Sequence, residues 1–205
     1  MQNDLGIKMC SDLKFHEHIG FIVRKADTRA GIILKSFISR DICTLKRAFE
    51  VYVRPILETN SEIFNPCYCL DIDRLESCQR RFTKRLPGLA DMTYAERLKA
   101  LAWDTLELRR VVKDLVLVYK IVNGYVDINP ETLFEFRLDR TRGHARKIVV
   151  PLLRKTSSQH FFAYRVIKMW NRLPMDVVNA KNPVFFREKL MKVKCLFTTM
   201  LRYSI

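Results

Sequence analysis

The chain has 205 residues, 48% of them hydrophobic, with only 6 Gly and 7 Pro. That composition excludes a disordered chain and favours a mainly helical domain, alone or with a smaller appendage. Lys and Arg number 37 against 22 Asp and Glu, a formal charge of +15, which favours a polyanionic partner: nucleic acid first, an anionic membrane surface second. No apolar run approaches the ~20 residues that a membrane span needs, so no membrane-embedded segment is expected. The opening MQNDLGIKMCSDLKF has no signal-peptide core, and a nuclear or cytoplasmic, reducing compartment is the default. The six cysteines are Cys10, Cys43, Cys67, Cys69, Cys78 and Cys195. Cys67 and Cys69 have one residue between them and no second close pair occurs, whereas zinc sites show wider, paired spacing. Free thiols, no metal and no cofactor are expected.

In chain order, residues 1–12 read as an extended lead-in, and Ser11 or Asp12 is placed to cap the first helix. From Phe15 to Phe37, Ile19, Ile22, Ala26, Ala30, Ile33 and Phe37 recur at helical spacing and predict a long amphipathic helix. Asp41 caps a second helix carrying Ile42, Leu45, Phe49 and Val53, which Pro55 kinks or restarts. Asn60 to Pro66 is a connection rich in turn formers. Then comes Arg74 to Leu89, RLESCQRRFTKRLPGL, where Ile72, Leu75, Cys78, Phe82 and Leu86 form an apolar stripe. Arg74, Arg80, Arg81, Lys84 and Arg85 fill an arc of roughly 140° on the opposite side of that helix. Leu86-Pro87-Gly88 ends it.

Thr93-Tyr94-Ala95-Glu96 is a capping box that opens a short helix, and Asp104-Thr105-Leu106-Glu107 has the same form. The second opens a longer helix through Leu108, Val112, Leu115, Tyr119 and Val122, with Arg109 and Arg110 on its polar side and Gly124 at its end. Past Asp127 the pattern changes. Leu133 to Leu138 alternates, and Lys147 to Leu153 is β-branched but interrupted by Pro151, which predicts two short strands. The loop between them gathers Arg140, Arg142, His144, Arg146 and Lys147 around Gly143, a set that suits phosphate contacts or an ordinary solvated turn equally well. A helix then carries Phe162, Val166, Met169, Trp170 and Leu173, with Trp170, Phe161 and Phe162 expected in packing rather than base stacking. Asn182-Pro183 opens the last helix.

Nucleotidyl transfer needs paired carboxylates that hold two metal ions about 4 Å apart. Adjacent aspartates occur nowhere, and there is no Gly-rich phosphate loop, HExxH pair or Gly-x-Ser-x-Gly elbow. An enzyme acting alone, or one with a small-molecule substrate, is therefore not expected.

An ordered series of blocks resembles a known family. The blocks are DLGI at Asp4, DLKFHEHI at Asp12, YVRPILE at Tyr52, LESCQRRFTKRLPGL at Leu75, YAERLKAL at Tyr94, LELRR at Leu106, DLVLVYKIVNG at Asp114, TRGHARK at Thr141, FFAYRVIKMWNRLP at Phe161 and VFFREKL at Val184. Together they are similar to the carboxy-terminal part of LINE-type (non-LTR) retrotransposon reverse transcriptases of the jockey-like group. In that family the fingers and palm, with their Tyr/Phe-Ala-Asp-Asp motif, lie upstream. The resemblance implies that residues 1–12 correspond to a last palm strand, that 13–125 form a helical thumb-like bundle, and that 126–205 form a smaller α/β appendage of two short strands and two helices. It further implies a thumb that grips a template–product duplex through its backbone. The expectation is thus a truncated, catalytically inactive fragment that binds RNA or an RNA–DNA duplex with little regard to sequence. Arg74, Arg80, Arg81, Lys84, Arg85, Arg109, Arg110 and Arg142 are its candidate contacts. The alternatives are an accessory module docking on a separately encoded palm, or a partial gene model of a full-length polymerase.

Overall fold

Apolar residues at helical spacing build two separate cores. The computed structural model describes residues 2–4, 6–9, 14–66, 68–137, 144, 146–152, 161–198 and 201. The chain is mainly α, and it divides into two compact units, Met1–Glu107 and Leu108–Ser204.

The first unit opens with a hairpin of β1 (Gln2–Asp4) and β2 (Ile7–Met9), antiparallel with Asn3 opposite Lys8. Gly6 takes φ +83 at its turn, so the lead-in doubles back instead of running as one strand. The long helix α1 (His16–Ser36) buries Ile19, Ile22, Val23, Ala26, Ala30, Ile33 and Leu34. Phe15 stands at its N-cap without a side-chain cap, and Ser11 and Asp12 lie outside the described residues. Asp41 does cap α2 (Ile42–Tyr52), its carboxylate accepting from the Thr44 amide at 2.7 Å and the Thr44 hydroxyl at 2.8 Å. Pro55 restarts the chain as α3 (Arg54–Glu58), since a helix start needs no donor at that position. The expected connection at 60–66 contains a helical turn, α4 (Ser61–Phe64), because Phe64 is drawn into the core. Next comes α5 (Cys69–Lys84), packed chiefly against α1 and also against α6 (Tyr94–Leu101). The box at α6 forms as expected, with the Glu96 carboxylate accepting from the Thr93 amide at 2.7 Å and the Thr93 hydroxyl accepting from the Glu96 amide at 3.4 Å.

The division between the units falls inside α7 (Leu106–Val122), not at 125–126 as the sequence suggests. The reason is packing: from Leu108 onward its apolar residues, among them Leu115, Val118 and Tyr119, join Trp170, Val177, Phe186 and Leu190 in the second core. A 3-10 turn (Pro130–Thr132) comes next, then α8 (Phe162–Arg165), α9 (Ile167–Trp170), α10 (Met175–Val178), α11 (Pro183–Lys192) and α12 (Cys195–Thr198). The helix expected over 162–173 is broken at Val166. Asn182 caps α11 as expected, accepting from the amides of Val184 at 3.0 Å and Phe185 at 2.9 Å.

The two strands expected over 133–138 and 147–153 reduce, among the described residues, to one antiparallel bridge between Phe136 and Ile148. The Arg137 amide donates to the Lys147 carbonyl at 2.9 Å and the Val149 amide to the Glu135 carbonyl at 2.7 Å around that bridge. On the outer edge the Asn171 side-chain oxygen accepts from the Ile148 amide at 2.9 Å and its nitrogen donates to the Ile148 carbonyl at 2.7 Å. Asn171 thus satisfies the outward-facing backbone groups of Ile148 and takes nothing from the pairing with residues 135–137. Trp170 is fully buried as expected, its indole donating to the Arg146 carbonyl at 2.8 Å. Phe161 is 49% exposed and does not share that core.

Candidate nucleic-acid interface

Two faces of α5 are occupied before its cations come into play. Leu75, Cys78 and Phe82 enter the first core, and Phe82 lies 4.4 Å, centroid to centroid, from Phe49. Four polar residues, Asp71, Glu76, Gln79 and Thr83, are also buried. Glu76 accepts from the Tyr94 hydroxyl and from the amide of Leu106 at 3.0 Å, which ties α5 to α6 and to the start of α7. Gln79 donates to the Tyr94 hydroxyl at 3.0 Å and to the Asp104 carbonyl at 3.1 Å. Buried Arg97 donates to the Thr83 hydroxyl at 3.1 Å and to the Met92 carbonyl at 2.6 Å. Burial, and then the Glu76 charge, push the Tyr94 phenol well above its ordinary range. This hydrogen-bonded seam fixes the rotation of α5 about its axis.

What remains outside is a stripe. Arg74, Arg81, Lys84 and Arg85 are exposed and fall within roughly 100° of arc at the helical period, narrower than the expected cationic side. Arg80 leaves the stripe, half-buried with its guanidinium 5.2 Å from the Tyr94 ring centroid. Arg74 pairs with Asp71 at 3.3 Å, and the same Asp71 carboxylate meets His16 of α1. Arg81 pairs with Asp27 of α1 at 2.5 Å, an interaction that holds its guanidinium above the ordinary value.

Between α1 and α5 runs a groove of about 200 Å³. Its deep wall is Ala30, Leu34, Cys78 and Phe82, all buried; Asp27 and Gly31 line the α1 side, and Arg81 and Arg85 the α5 side. The Cys78 thiol is pushed far above its usual range, first by burial and then by the Asp27 carboxylate, so it stays a neutral part of the wall.

The candidates outside α5 divide. Arg109 is half-buried in the second unit. Arg110 is 1% exposed, a correction to its expected place on a polar face. The cause is α7 itself, whose neighbouring Val111, Val112, Leu115 and Val118 are buried, leaving little of its surface for solvent. Arg142, with Arg140 and Gly143, lies outside the described residues. Of the same loop, His144 is buried and its ring meets the Trp170 carbonyl at 3.0 Å, while Arg146 is exposed and donates to Asn123. Sequence reasoning missed Asp27, Glu76, Gln79 and Arg97, whose partners lie on other helices and leave no local signal.

Comparison with known proteins adds one relative. Over 125 residues the chain is 24% identical to a Caenorhabditis elegans protein described as "Uncharacterized protein B0403.1". The match covers 60% of this chain and 63% of that protein, so less than two thirds of the relative's length is spanned. No family model matches the chain, and no solved structure matches it. Among the described residues no cluster of three or more His, Cys, Asp or Glu side chains could hold a metal ion, and no helix is long and apolar enough to cross a membrane.

Proposed function

We propose that this chain is a nucleic-acid-holding module, similar to the thumb and adjoining carboxy-terminal region of non-LTR retrotransposon reverse transcriptases, that binds RNA or RNA–DNA duplex without regard to sequence and does not itself polymerise. The observation that carries the reading is the exposed line of Arg74, Arg81, Lys84 and Arg85 on α5, a helix whose other faces are tied down by buried hydrogen bonds. A fixed row of cations meets phosphates without reading bases, which is how sequence-tolerant binding arises. The formal charge of +15, most of it in residues 108–205 with 20 Lys and Arg against 7 Asp and Glu, adds long-range attraction of a polyanion to the chain as a whole. The absence of adjacent aspartates from the sequence supports holding over catalysis. Replacing Arg81 and Arg85 together with Ala tests the reading. Affinity for several duplexes of unrelated sequence should fall by a similar factor, and an unchanged affinity, or a loss confined to one sequence, would count against it.

A second reading, docking on a separately encoded polymerase palm, draws support from the exposed apolar residues Val51, Tyr52, Ile63, Tyr68 and Leu70 of the first unit. Failure of the purified chain to retain generic duplex at moderate salt favours that reading over the first.

A further inference from the structure

Three properties of the groove between α1 and α5 bear on what it could hold. Its volume, about 200 Å³, falls below the ~300–1,000 Å³ of pockets that enclose whole small ligands, so it suits a part of a larger molecule lying across it. Its walls are chemically divided, with buried Ala30, Leu34 and Phe82 inside and the guanidinium side chains of Arg81 and Arg85, one helical turn apart, at the mouth. And Gly31 stands at its edge in the interior of α1, where glycine weakens a helix. Close packing does not require that glycine, since a Cβ built there meets nothing within 4 Å. It leaves α1 bare where a ligand would approach.

We propose that this groove seats one sugar–phosphate unit of the bound polynucleotide, the phosphate taken by Arg81 and Arg85 and the sugar lying against Gly31. Asp27 acts there as an internal competitor, keeping Arg81 over the groove until a phosphate displaces it. A ligand that joins an anionic group to a compact ring matches both walls, and the repeating unit of a nucleic acid is such a ligand. The inference rests on the reading of α5 as the contact helix, and it adds a defined seat and a residue that tunes it.

The test is a titration of labelled RNA–DNA duplex of arbitrary sequence with the full chain and its variants. Gly31→Leu, a better helix former whose side chain takes the place of the sugar, should weaken binding about tenfold, as expected if the displaced sugar draws its phosphate off Arg81 and Arg85. Gly31→Ala should stay within about twofold of the parent, because its methyl enters open space. Asp27→Asn should strengthen binding about two- to fivefold, the strength of an exposed ion pair no longer in competition. Parental affinity in a Gly31→Leu chain with intact circular dichroism, or no gain from Asp27→Asn, would overturn the seat. Should Gly31→Leu not fold, the Asp27→Asn result decides alone. If Arg81→Ala/Arg85→Ala loses binding while Gly31→Leu keeps it, the seat fails and the basic-stripe reading stands; if neither matters, both fail. Poly-glutamate bound as tightly as duplex, with the same sensitivity to Gly31→Leu, would assign the groove to a protein carboxylate and overturn the proposal.

Discussion

Glu76 is a carboxylate with no exposed surface, on a helix otherwise notable for its cations. It accepts from Tyr94 and from the Leu106 amide, so its loss leaves the Tyr94 O–H and the first free donor of α7 without this acceptor. Glu76→Ala should destabilise the first unit by about 3 kcal/mol, from about 1–3 kcal/mol for each buried group left unsatisfied. Urea denaturation followed by circular dichroism measures this, and a change under about half a kcal/mol would mean that the seam does not hold α5 in place. Two histidines set a pH dependence. Burial lowers His18 and His144 from the ordinary value of 6.5, with Lys8 and Lys147 respectively adding like-charge repulsion. Below that value the unfolded chain takes up protons that the folded chain refuses, so stability is full above it and falls as the pH drops through it. Denaturation midpoints should therefore be lower at about pH 5.5 than at about pH 7.5, and His18→Gln with His144→Gln should shrink the difference. A midpoint that rises toward acid would contradict the burial of these rings. The exposed lowered carboxylates of Asp41 and Glu96 start from 3.8 and 4.5 and act only at lower pH.

At the scale of elements, what the sequence conveys is what is local. Asp41, Thr93 and Asn182 act on amides two or three residues ahead, so their caps were legible, and Pro55 restarts a helix for reasons contained in its own ring. Asn182→Ala should cost the second unit about 1 kcal/mol, read as a lower unfolding midpoint; no shift would indicate that water replaces the cap without loss. What was not legible depends on partners distant in the chain. Among the described residues the strand expected at 147–153 keeps one bridge at Ile148, whose outer edge Asn171 closes from 23 residues away, and α4 formed because Phe64 reached a core. On α5 the period separates the faces correctly, yet it could not tell that Arg80 would turn to Tyr94 or that Arg81 would meet Asp27. Period distinguishes buried from exposed positions, but it cannot say which exposed cation finds an aromatic ring or a carboxylate.

For the whole molecule, composition and period together made the mainly helical class readable, because apolar residues recur at three and four along most of the chain. The division into two units lies about one helix earlier than the sequence suggests. The cap signal at Asp104–Glu107 marks the start of α7 close to the division, but a helix start does not say which core the helix joins, and only the membership of Leu108 onward in the second core reveals it. Charge is uneven along the chain, with 17 Lys and Arg against 15 Asp and Glu in residues 1–107 and 20 against 7 in residues 108–205.

Binding that releases counterions from phosphates falls linearly with log salt, with a slope near 0.9 per neutralised duplex phosphate. The direct measurement is the salt dependence of duplex affinity for the parent chain and for Arg81→Ala/Arg85→Ala. The parent should bind duplexes of unrelated sequence alike with a steep slope, and the double variant's slope should be smaller by about 1.8 if each arginine holds one phosphate. Equal slopes for the two proteins would show that α5 does not face the nucleic acid.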